Sequence, residues 1–426
     1  MTITLLLGSL VILLLLNIPI AVSLGLATFI AIVGGGLSIP LEVIPQRMFT
    51  SIDSFPFMAI PFFMLAGSIM QSGGISKRLI NFAKNLVGAL PGGLGIIAVF
   101  SSGFFGAISG SNAATVSAIG KIMIPSMEKE KYGKAYASAL VAASGTLGVV
   151  VPPSVPMITY GVISGVSISA LFLAGIIPAV LMMIALCLII MFIAKRDNLP
   201  RGRVSFVELI KSFADAILSL LMPVIILGGI YGGFFTPTEA AAVACVYALI
   251  ITIFVYREIK VKDLYEIVLG SGQTTAIVFF VIATSSAFSW LLTAERIPET
   301  ISNAILSISD NPILILLLIN LLLLVLGVFL ETNAIILLVT PVLLPIAAQI
   351  GFDPLVLGII MIVNTSIGMI TPPMALNIFV ASGISHASIE DISKKVVPFF
   401  IALVAVVILI TYVPDIILFL PNLFAK

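Results

Sequence analysis

The chain has 426 residues, of which 60% are hydrophobic and only 9% are charged, and its mean hydropathy is +1.28. A water-exposed surface cannot be built from so few charges, so the composition excludes a soluble globular protein and makes lipid the main solvent. The net charge of +1 gives no sign of a nucleic-acid partner. Cys187 and Cys245 lie inside apolar runs and are interpreted as small core residues.

Runs of about 20 apolar residues predict ten membrane-spanning helices. In chain order they cover 2–16, 19–36, 55–75, 135–165, 169–194, 213–235, 238–256, 264–293, 351–380 and 396–424. The first run begins at Thr2 without a basic region or a small-residue cleavage site, so we expect it to be mature structure rather than a signal peptide.

Two further apolar segments, 92–128 and 312–348, are too long for one crossing and are polar at their centres. The first contains Ser109-Gly110-Ser111-Asn112 and the second contains Glu331-Thr332-Asn333. Polar turns at membrane depth are tolerated only where protein or a wet cavity surrounds them. We therefore predict that both segments are re-entrant hairpins that leave the membrane on the side where they entered.

The distribution of Lys and Arg supports this map, because cytoplasmic loops collect positive charge. The loops placed in the cytoplasm hold 16 of the 20 basic residues: Lys77, Arg78, Lys84, Lys129, Lys131, Lys134, Lys195, Arg196, Arg201, Arg203, Lys211, Arg257, Lys260, Lys262, Lys394 and Lys395. The opposite side holds Arg47, Arg296 and Lys426, and Lys121 lies within the first hairpin. If either hairpin crossed the membrane, this asymmetry would collapse. Both termini are predicted to be periplasmic.

Five predicted crossings precede the basic connector 195–212 and five follow it, so the halves 1–194 and 213–426 are predicted to enter the membrane from opposite sides as an inverted repeat. The polar and proline positions support the repeat. Asn112 precedes Pro152-Pro153 by 40 positions, and Asn333 precedes Pro372-Pro373 by 39. Gly148 and Gly368 each lie four residues before their proline pair.

The hairpin centres are candidate cation sites. Hydroxyl, amide and backbone oxygens are hard ligands, and a set without a cluster of carboxylates suits Na⁺ better than Ca²⁺. The alternative is that Gly and Ser only allow close helix packing. The predicted cation ligands in the first hairpin are Ser109, Gly110, Ser111 and Asn112.

The proline pairs predict broken helices within 135–165 and 351–380. Two prolines free carbonyls that can ligate a cation, and the helix that restarts presents N–H groups to an anion. A kink that serves packing alone is the other interpretation.

Two acids within apolar surroundings are possible functional residues, because buried charges are costly and usually have a role. Glu239 follows Thr236-Pro237 and is also explained as part of a helix cap. Glu331 either lies near the cation or is a structural partner inside the second hairpin.

Enzyme motifs are missing from the sequence. His386 is the sole histidine, and no phosphate-binding loop with a following Lys and Ser or Thr is found. An intramembrane enzyme would need a pair of acids that faces one cavity, and Glu239 and Glu331 occur in unmatched contexts. We therefore expect a transporter that is driven by an ion gradient, not an enzyme or an ATP-driven pump.

Several short sequence motifs resemble those of the large membrane subunit of tripartite ATP-independent periplasmic (TRAP) transporters. They are Leu90-Pro91-Gly92-Gly93-Leu94, Phe104-Phe105-Gly106-Ala107-Ile108-Ser109-Gly110-Ser111, Phe235-Thr236-Pro237-Thr238-Glu239-Ala240 and the two Pro-Pro breaks. The resemblance covers essentially the whole chain.

This resemblance implies an all-α, elevator-type, Na⁺-driven importer of the bacterial inner membrane. Its implied partners are a four-helix small membrane subunit, expected to be a separate chain, and a soluble periplasmic binding protein that delivers an organic acid. Overall likeness favours the sialic-acid branch over carriers of C4-dicarboxylates. A stand-alone dicarboxylate or citrate-type carrier, which needs no binding protein, is the alternative.

The resemblance also implies site residues in each half. One Na⁺ region would combine Ser109 to Asn112 with Gly148 and Val151, and the other would combine Thr332 and Asn333 with Gly368 and Thr371. Substrate would lie between the hairpin tips. The residues expected to contact it are Ser111, Asn112, Pro153, Ser154, Asn333, Pro373 and Asn377.

Overall fold

A computed structural model describes residues 2–16, 18–200, 204–301 and 311–424. Every regular element in these ranges is helical. In chain order the α-helices are α1 (Thr2–Leu15), α2 (Ile20–Gly34), α3 (Val43–Ile52), α4 (Ala59–Ser72), α5 (Ile75–Val87), α6 (Gly93–Ser109), α7 (Asn112–Lys129), α8 (Lys134–Ser144), α9 (Val155–Ser164), α10 (Ile168–Arg196), α11 (Phe206–Tyr231), α12 (Pro237–Ile250), α13 (Leu264–Ala294), α14 (Pro312–Phe329), α15 (Thr332–Gln349), α16 (Pro354–Gly368), α17 (Leu376–Ser385), α18 (Ile389–Tyr412) and α19 (Asp415–Phe424).

Short 3₁₀ and π turns extend several of these helices, among them Phe55–Met58 before α4 and Ile251–Val255 after α12. With these extensions, eight helical segments of the described chain are long and apolar enough to cross a membrane. α14 and α15 are two of the eight, so length alone does not decide whether this pair turns back. Within the predicted connector 195–212, residues 201–203 lie outside the described residues, and they include Arg201 and Arg203.

The structure differs from the sequence prediction at three places. The prediction of one helix over 396–424 is wrong, because α18 ends at Tyr412 and α19 begins at Asp415 after Pro414. Helices α3 and α5 were not predicted. Both are short, and α5 buries Leu79 and Ala83 while Lys84 is exposed, so neither contains the long apolar run on which the prediction depended.

Each polar centre joins two consecutive helices. Gly110 and Ser111 connect α6 to α7, and the backbone of Gly110 adopts a φ of +58°, which a glycine allows without strain. The Ser111 hydroxyl then caps α7 by accepting a hydrogen bond from the Ala114 N–H. Leu330 and Glu331 connect α14 to α15 through extended backbone, without a side-chain cap at the start of α15. The helix pairs lie within two residues of the predicted segments 92–128 and 312–348.

Each proline pair interrupts a helix. In the first, α8 runs into a 3₁₀ turn at Gly145–Val149 and α9 restarts after Pro152-Pro153. In the second, α16 ends at Gly368 and α17 restarts after Pro372-Pro373. Both Pro–Pro peptide bonds are cis.

Most of these helices contribute to the buried core, although α14 also carries exposed apolar side chains such as Leu321 and Phe329. α16 is buried from Val356 to Gly368, and it contacts α14, α15, α18 and the first break. Among the other helices, α4 packs against α12, and α13 packs against α2, α3 and α4. α4 and α13 also contact the hairpins and broken helices, as do α5 and α10.

Candidate functional site

One cavity of about 410 Å³ brings both hairpin tips together with the surrounding helices. The first tip contributes Ser109, Gly110 and Ser111, and the second contributes Glu331 and Asn333. The opposite wall carries polar side chains that sequence reasoning missed. They are Ser68 and Gln71 of α4 and Ser271 and Thr274 of α13. Their only signal in the sequence is a polar residue within a helix that is otherwise apolar.

At the first tip, oxygen atoms are concentrated against the first break. The hydroxyls of Ser109 and Thr115 lie 3.0 Å apart, and Thr115 donates to the Ser111 carbonyl at 2.8 Å. A Cβ atom on Gly148 would lie 2.5 Å from that carbonyl oxygen and 2.7 Å from the Thr115 hydroxyl. Only a glycine permits this approach. Tip and break therefore present hydroxyl and carbonyl oxygens within one small region.

Asn112 connects the first hairpin to both breaks. Its amide oxygen accepts the Val149 N–H at 3.1 Å, and its amide nitrogen donates to the Ser366 hydroxyl at 2.9 Å and contacts the Met369 sulfur at 3.2 Å. Ser366 in turn donates to the Thr146 carbonyl at 2.6 Å. Because Asn112 is only 2% exposed and its amide is fully engaged, it positions the tip and does not line the cavity.

The second tip differs from the first because it carries a carboxylate. The Asn333 amide nitrogen donates to Glu331 Oε1 at 2.9 Å, and its amide oxygen accepts from the Thr159 hydroxyl of α9 at 3.4 Å. The Thr332 hydroxyl lies 3.6 Å from the Met369 sulfur. The second hairpin thus contacts a helix of the first half, just as Asn112 of the first hairpin contacts the second half.

A matched pair of glycine contacts holds each hairpin against its break, and sequence reasoning missed it. A Cβ atom on Gly106 would lie 3.1 Å from the Gly148 Cα, and one on Gly327 would lie 2.9 Å from the Gly368 Cα. The signal was available, because Gly106 and Gly327 each lie six residues before the hairpin asparagine. Small residues at such crossings allow helices to pack closely in lipid.

Several predicted site residues lie away from the cavity. Val151 lines a separate apolar cavity, and the Ser154 hydroxyl donates to the Val149 carbonyl at 2.5 Å. Asn377 is buried and donates to the Ala142 carbonyl at 3.1 Å. Pro153 is buried and Pro373 is exposed, and neither lines the cavity. Of the predicted substrate contacts, the cavity brings together Ser111 and Asn333.

Two remaining predictions concern Thr371 and Glu239. The Thr371 hydroxyl donates to the Ile367 carbonyl at 3.3 Å, so its side chain is engaged within the end of α16. Glu239 forms a capping box at the start of α12: Thr236 N–H donates to Glu239 Oε2 at 2.8 Å, and Glu239 N–H donates to the Thr236 hydroxyl at 3.3 Å. This is the helix-cap geometry that the sequence suggested.

The chemistry of the cavity wall is that of hard oxygen ligands with one carboxylate. Within the described residues no three His, Cys, Asp or Glu side chains form a group that could hold a metal ion. Hydroxyl, amide and carbonyl oxygens of this kind suit a weakly bound monovalent cation and hydrogen bonds to a polar solute. Apolar side chains from Met64, Val155, Ile277 and Val278 complete the lining.

Comparison with known proteins identifies the family. The family model described as "Tripartite ATP-independent periplasmic transporter, DctM component" matches residues 7–416. The chain belongs to this family. It is 46% identical over 410 residues to the isethionate TRAP transporter permease protein DctMQ of Oleidesulfovibrio alaskensis, covering 95% of the chain but 64% of that longer relative. It is 43% identical over 380 residues to the sialic acid TRAP transporter large permease protein SiaM of Vibrio cholerae, with 89% of each covered.

A third TRAP relative is the C4-dicarboxylate large permease protein DctM of Pseudomonas aeruginosa, 41% identical over 377 residues with 88% of each chain covered. Among solved structures, the YdaH transporter of Alcanivorax borkumensis superposes with a TM-score of 0.64 at 14% identity, over 85% of this chain and 86% of YdaH. MtrF of Neisseria gonorrhoeae superposes with a TM-score of 0.58, also at 14% identity, over 88% of this chain and 85% of MtrF. At this identity the two structures show a shared transporter fold only. The chain is therefore a multi-pass membrane protein of the TRAP large-permease family.

Proposed function

We propose that the chain is the large transmembrane subunit of a Na⁺-driven secondary importer of a small organic-acid anion. The observation that carries this proposal is the cavity in which both hairpin tips meet. Polar groups at membrane depth are expensive unless they serve a solute path, and here the two polar segments of the chain line one volume. Ser109 to Ser111 and Glu331 to Asn333 are then functional rather than packing elements.

The proposed Na⁺ regions lie where each tip meets its break. At the first, Ser109, Ser111 and Thr115 concentrate oxygens beside Gly148. At the second region, Gly368 lies beside Gly327 of α14, and Thr332 is the first residue of α15. Val151 and Thr371 remain candidates through their backbone carbonyls, which a broken helix leaves available.

The proposed substrate position lies between the tips, near the start of α9. Val155, the first residue of α9, lines the cavity. The N-terminal end of a helix carries partial positive charge and free N–H groups, so it suits a carboxylate or sulfonate. Ser111 and Asn333 can add hydrogen bonds. Three relatives are named for isethionate, C4-dicarboxylates and sialic acid, and each of these solutes carries a carboxylate or a sulfonate. We propose that the present chain carries a solute of the same class.

The described conformation supports an inward-facing state. Ser68 and Gln71 lie in the last turns of α4, just before the basic helix α5 that contains Lys77 and Arg78, and Ser271 lies near the start of α13. Both helix ends are cytoplasmic by the positive-inside rule. The cavity therefore lies toward the cytoplasm, as expected of one end point of an elevator movement in which the hairpins and broken helices slide along α4 and α13.

The inverted repeat is also part of this proposal, with halves 1–194 and 213–426. The matched glycine contacts and the matched hairpin-to-break spacing support it. Single cysteines at Glu295 and Phe352, in a chain without Cys187 and Cys245, would test it with a membrane-impermeant reagent. Labelling of both from the periplasm agrees with a hairpin at 312–348, whereas labelling from opposite faces contradicts the repeat.

Transport assays in liposomes test the whole proposal. The chain would be reconstituted with a small membrane subunit, and uptake would be measured with a periplasmic binding protein that carries labelled organic acid. We expect uptake that needs an inward Na⁺ gradient and the binding protein. Equal uptake by the chain alone would favour the stand-alone carrier, and uptake without Na⁺ would contradict the coupling ion.

A further inference from the structure

A second cavity of about 580 Å³ lies at the predicted cytoplasmic side, where the ends of α8, α10 and α18 meet. It shares no lining residue with the cavity between the hairpin tips. Four basic side chains line it: Lys134, Arg196, Lys394 and Lys395. Asp197 is the one acidic side chain in the lining, so the formal charge of the wall is strongly positive.

Three of the four basic side chains have an acidic partner, and Lys395 has no ion pair among the described residues. Arg196 pairs with Asp197 at 2.7 Å, and Lys394 pairs with Glu390 at 2.8 Å. Lys134 lies 3.4 Å from Glu128. All of these side chains are at least 44% exposed, so water and salt weaken the pairs and an incoming anion can compete with them.

Two tyrosines form part of the wall. Tyr132 and Tyr136 line the cavity, and their rings lie 6.2 Å apart. Both hydroxyl oxygens are buried, and Tyr132 as a whole is only 5% exposed. The two rings therefore give the cavity an aromatic wall beside its basic side chains.

An apolar path leads from this cavity into the bilayer. Ile189, Phe192 and Pro398 form part of the wall. Phe192 is 67% exposed and continues an outward-facing stripe at every fourth residue of α10, a helix apolar enough to span the membrane. The stripe consists of Val180, Ile184, Leu188 and Phe192. A stripe of this kind on a spanning helix suits contact with membrane hydrocarbon, and it ends at the basic cavity.

We propose that this cavity binds the phosphate group of an anionic phospholipid from the cytoplasmic leaflet, with an acyl chain along the α10 stripe. Basic pockets between helices at this side of a membrane suit lipid phosphates, and Lys and Arg at the interface reach headgroup depth. The apolar stripe distinguishes a lipid from a soluble phosphate, which would use only the charged end. The lipid would join the ends of α8, α10 and α18.

Native mass spectrometry of the purified protein in mixed phosphatidylglycerol and phosphatidylcholine with matched acyl chains tests this proposal. We expect phosphatidylglycerol to be retained selectively. The double variant Arg196→Gln/Lys395→Gln should bind it roughly 30-fold more weakly, because each basic residue contributes about a fivefold factor. The control Lys77→Gln/Lys262→Gln removes the same charge from exposed residues outside the cavity and should bind like the parent.

Two further arms separate the possible outcomes. Arg196→Lys keeps the charge and should retain the lipid, which shows that the double variant acts through charge rather than misfolding. A molar excess of inorganic phosphate should leave phosphatidylglycerol bound. Equal lipid retention in the double variant and the control would overturn the site, and full displacement by inorganic phosphate would overturn its assignment to a lipid.

Discussion

The two proline breaks share a sequence pattern but occupy different environments. Pro152 and Pro153 are mostly buried, and the turn before them supplies the Val149 N–H to Asn112. Pro372 and Pro373 are exposed, together with Met374. The second break contributes to the site only through residues that precede its prolines. Proline thus determines where a helix stops, whereas the surrounding chain determines whether that stop is fixed or free to rearrange.

The hairpin tips differ in a related way. The first tip is uncharged, and its hydroxyls bond to one another and to their own backbone. The second tip contains a carboxylate that is held by a neighbouring amide. If both tips bind Na⁺, the first relies on neutral oxygens and the second has one negative charge within reach. The halves are therefore expected to bind cations with different strength.

The largest effect is expected where both halves are alike, at the glycines of the breaks. Gly148→Ala and Gly368→Ala should each destabilise the protein by about 3 kcal/mol and abolish uptake, because the new Cβ would overlap backbone atoms that cannot move away. Thermal unfolding in detergent and liposome uptake would measure this.

Gly383→Ala is the matched control, because this helical glycine has no atom within 4 Å of the new Cβ. It should leave stability unchanged or raise it by up to about 1 kcal/mol. If Gly148→Ala behaves like this control, the close approach of tip and break is not required.

Substitution of the hairpin asparagines, Asn112 and Asn333, is expected to affect the two tips to different extents. Asn112→Ala should cost about 2 kcal/mol, because it leaves the buried Val149 N–H without its acceptor and removes the hydrogen bond that Asn112 donates to Ser366. The apparent Na⁺ affinity should fall roughly 30-fold, by the same free energy. Asn333→Ala should have a smaller effect, since one of its two bonds is long at 3.4 Å.

Na⁺-dependent uptake in the purified system would measure both affinities. Asn85→Ala provides a control, because this buried asparagine bonds only within its own helix, to the Asn81 carbonyl. Unchanged Na⁺ dependence in Asn112→Ala and Asn333→Ala would refute the proposed cation regions, and a larger loss in Asn333→Ala would reverse the comparison.

The proline pairs test whether an exposed break can straighten. Replacing Pro372 and Pro373 by Ala favours a continuous helix by about 3 kcal/mol per residue, and no buried contact of the prolines opposes it. We expect a protein with parental or higher thermal stability and little uptake. The same change at Pro152 and Pro153 should keep more activity, because Asn112 and Ser154 hold that turn.

Uptake rates and melting temperatures of the two double variants would decide this point. Parental uptake by the Pro372 and Pro373 variant would show that the second break is a packing kink. Equal loss in both variants would show that burial does not protect the first break.

Much of the fold could be predicted, because the physical signals were local. Apolar runs located the long helices, polar centres located the paired helices around 92–128 and 312–348, and the proline pairs located the breaks. The wall formed by α4 and α13 could not be predicted, since a lone Ser68 or Thr274 in an apolar helix gives no direction in space. Ser154 and Asn377 show the converse. The family resemblance suggested substrate contact for both, and in the structure each side chain donates to a carbonyl away from the cavity.

The smallest effect is expected from an ion pair network that joins the halves at the cytoplasmic side. Arg78 of α5 lies 3.4 Å from Asp215 of α11 and 3.2 Å from Glu258, and its guanidinium lies 3.8 Å from the Tyr256 ring centre. Its side chain is 16% exposed, but both acids are about half exposed. Such partly solvated pairs contribute little.

Arg78→Gln should therefore lower stability by about 1 kcal/mol, most of it from the lost ring contact, and should leave the Na⁺ dependence of uptake unchanged. Arg78→Lys should recover part of the loss, because it keeps the charge without the planar fork. Lys77→Gln, at the exposed neighbour, controls for the change in net charge. If Arg78→Gln were as destabilising as Gly148→Ala, the halves would be held together by their cytoplasmic ends more than by the contacts between tips and breaks.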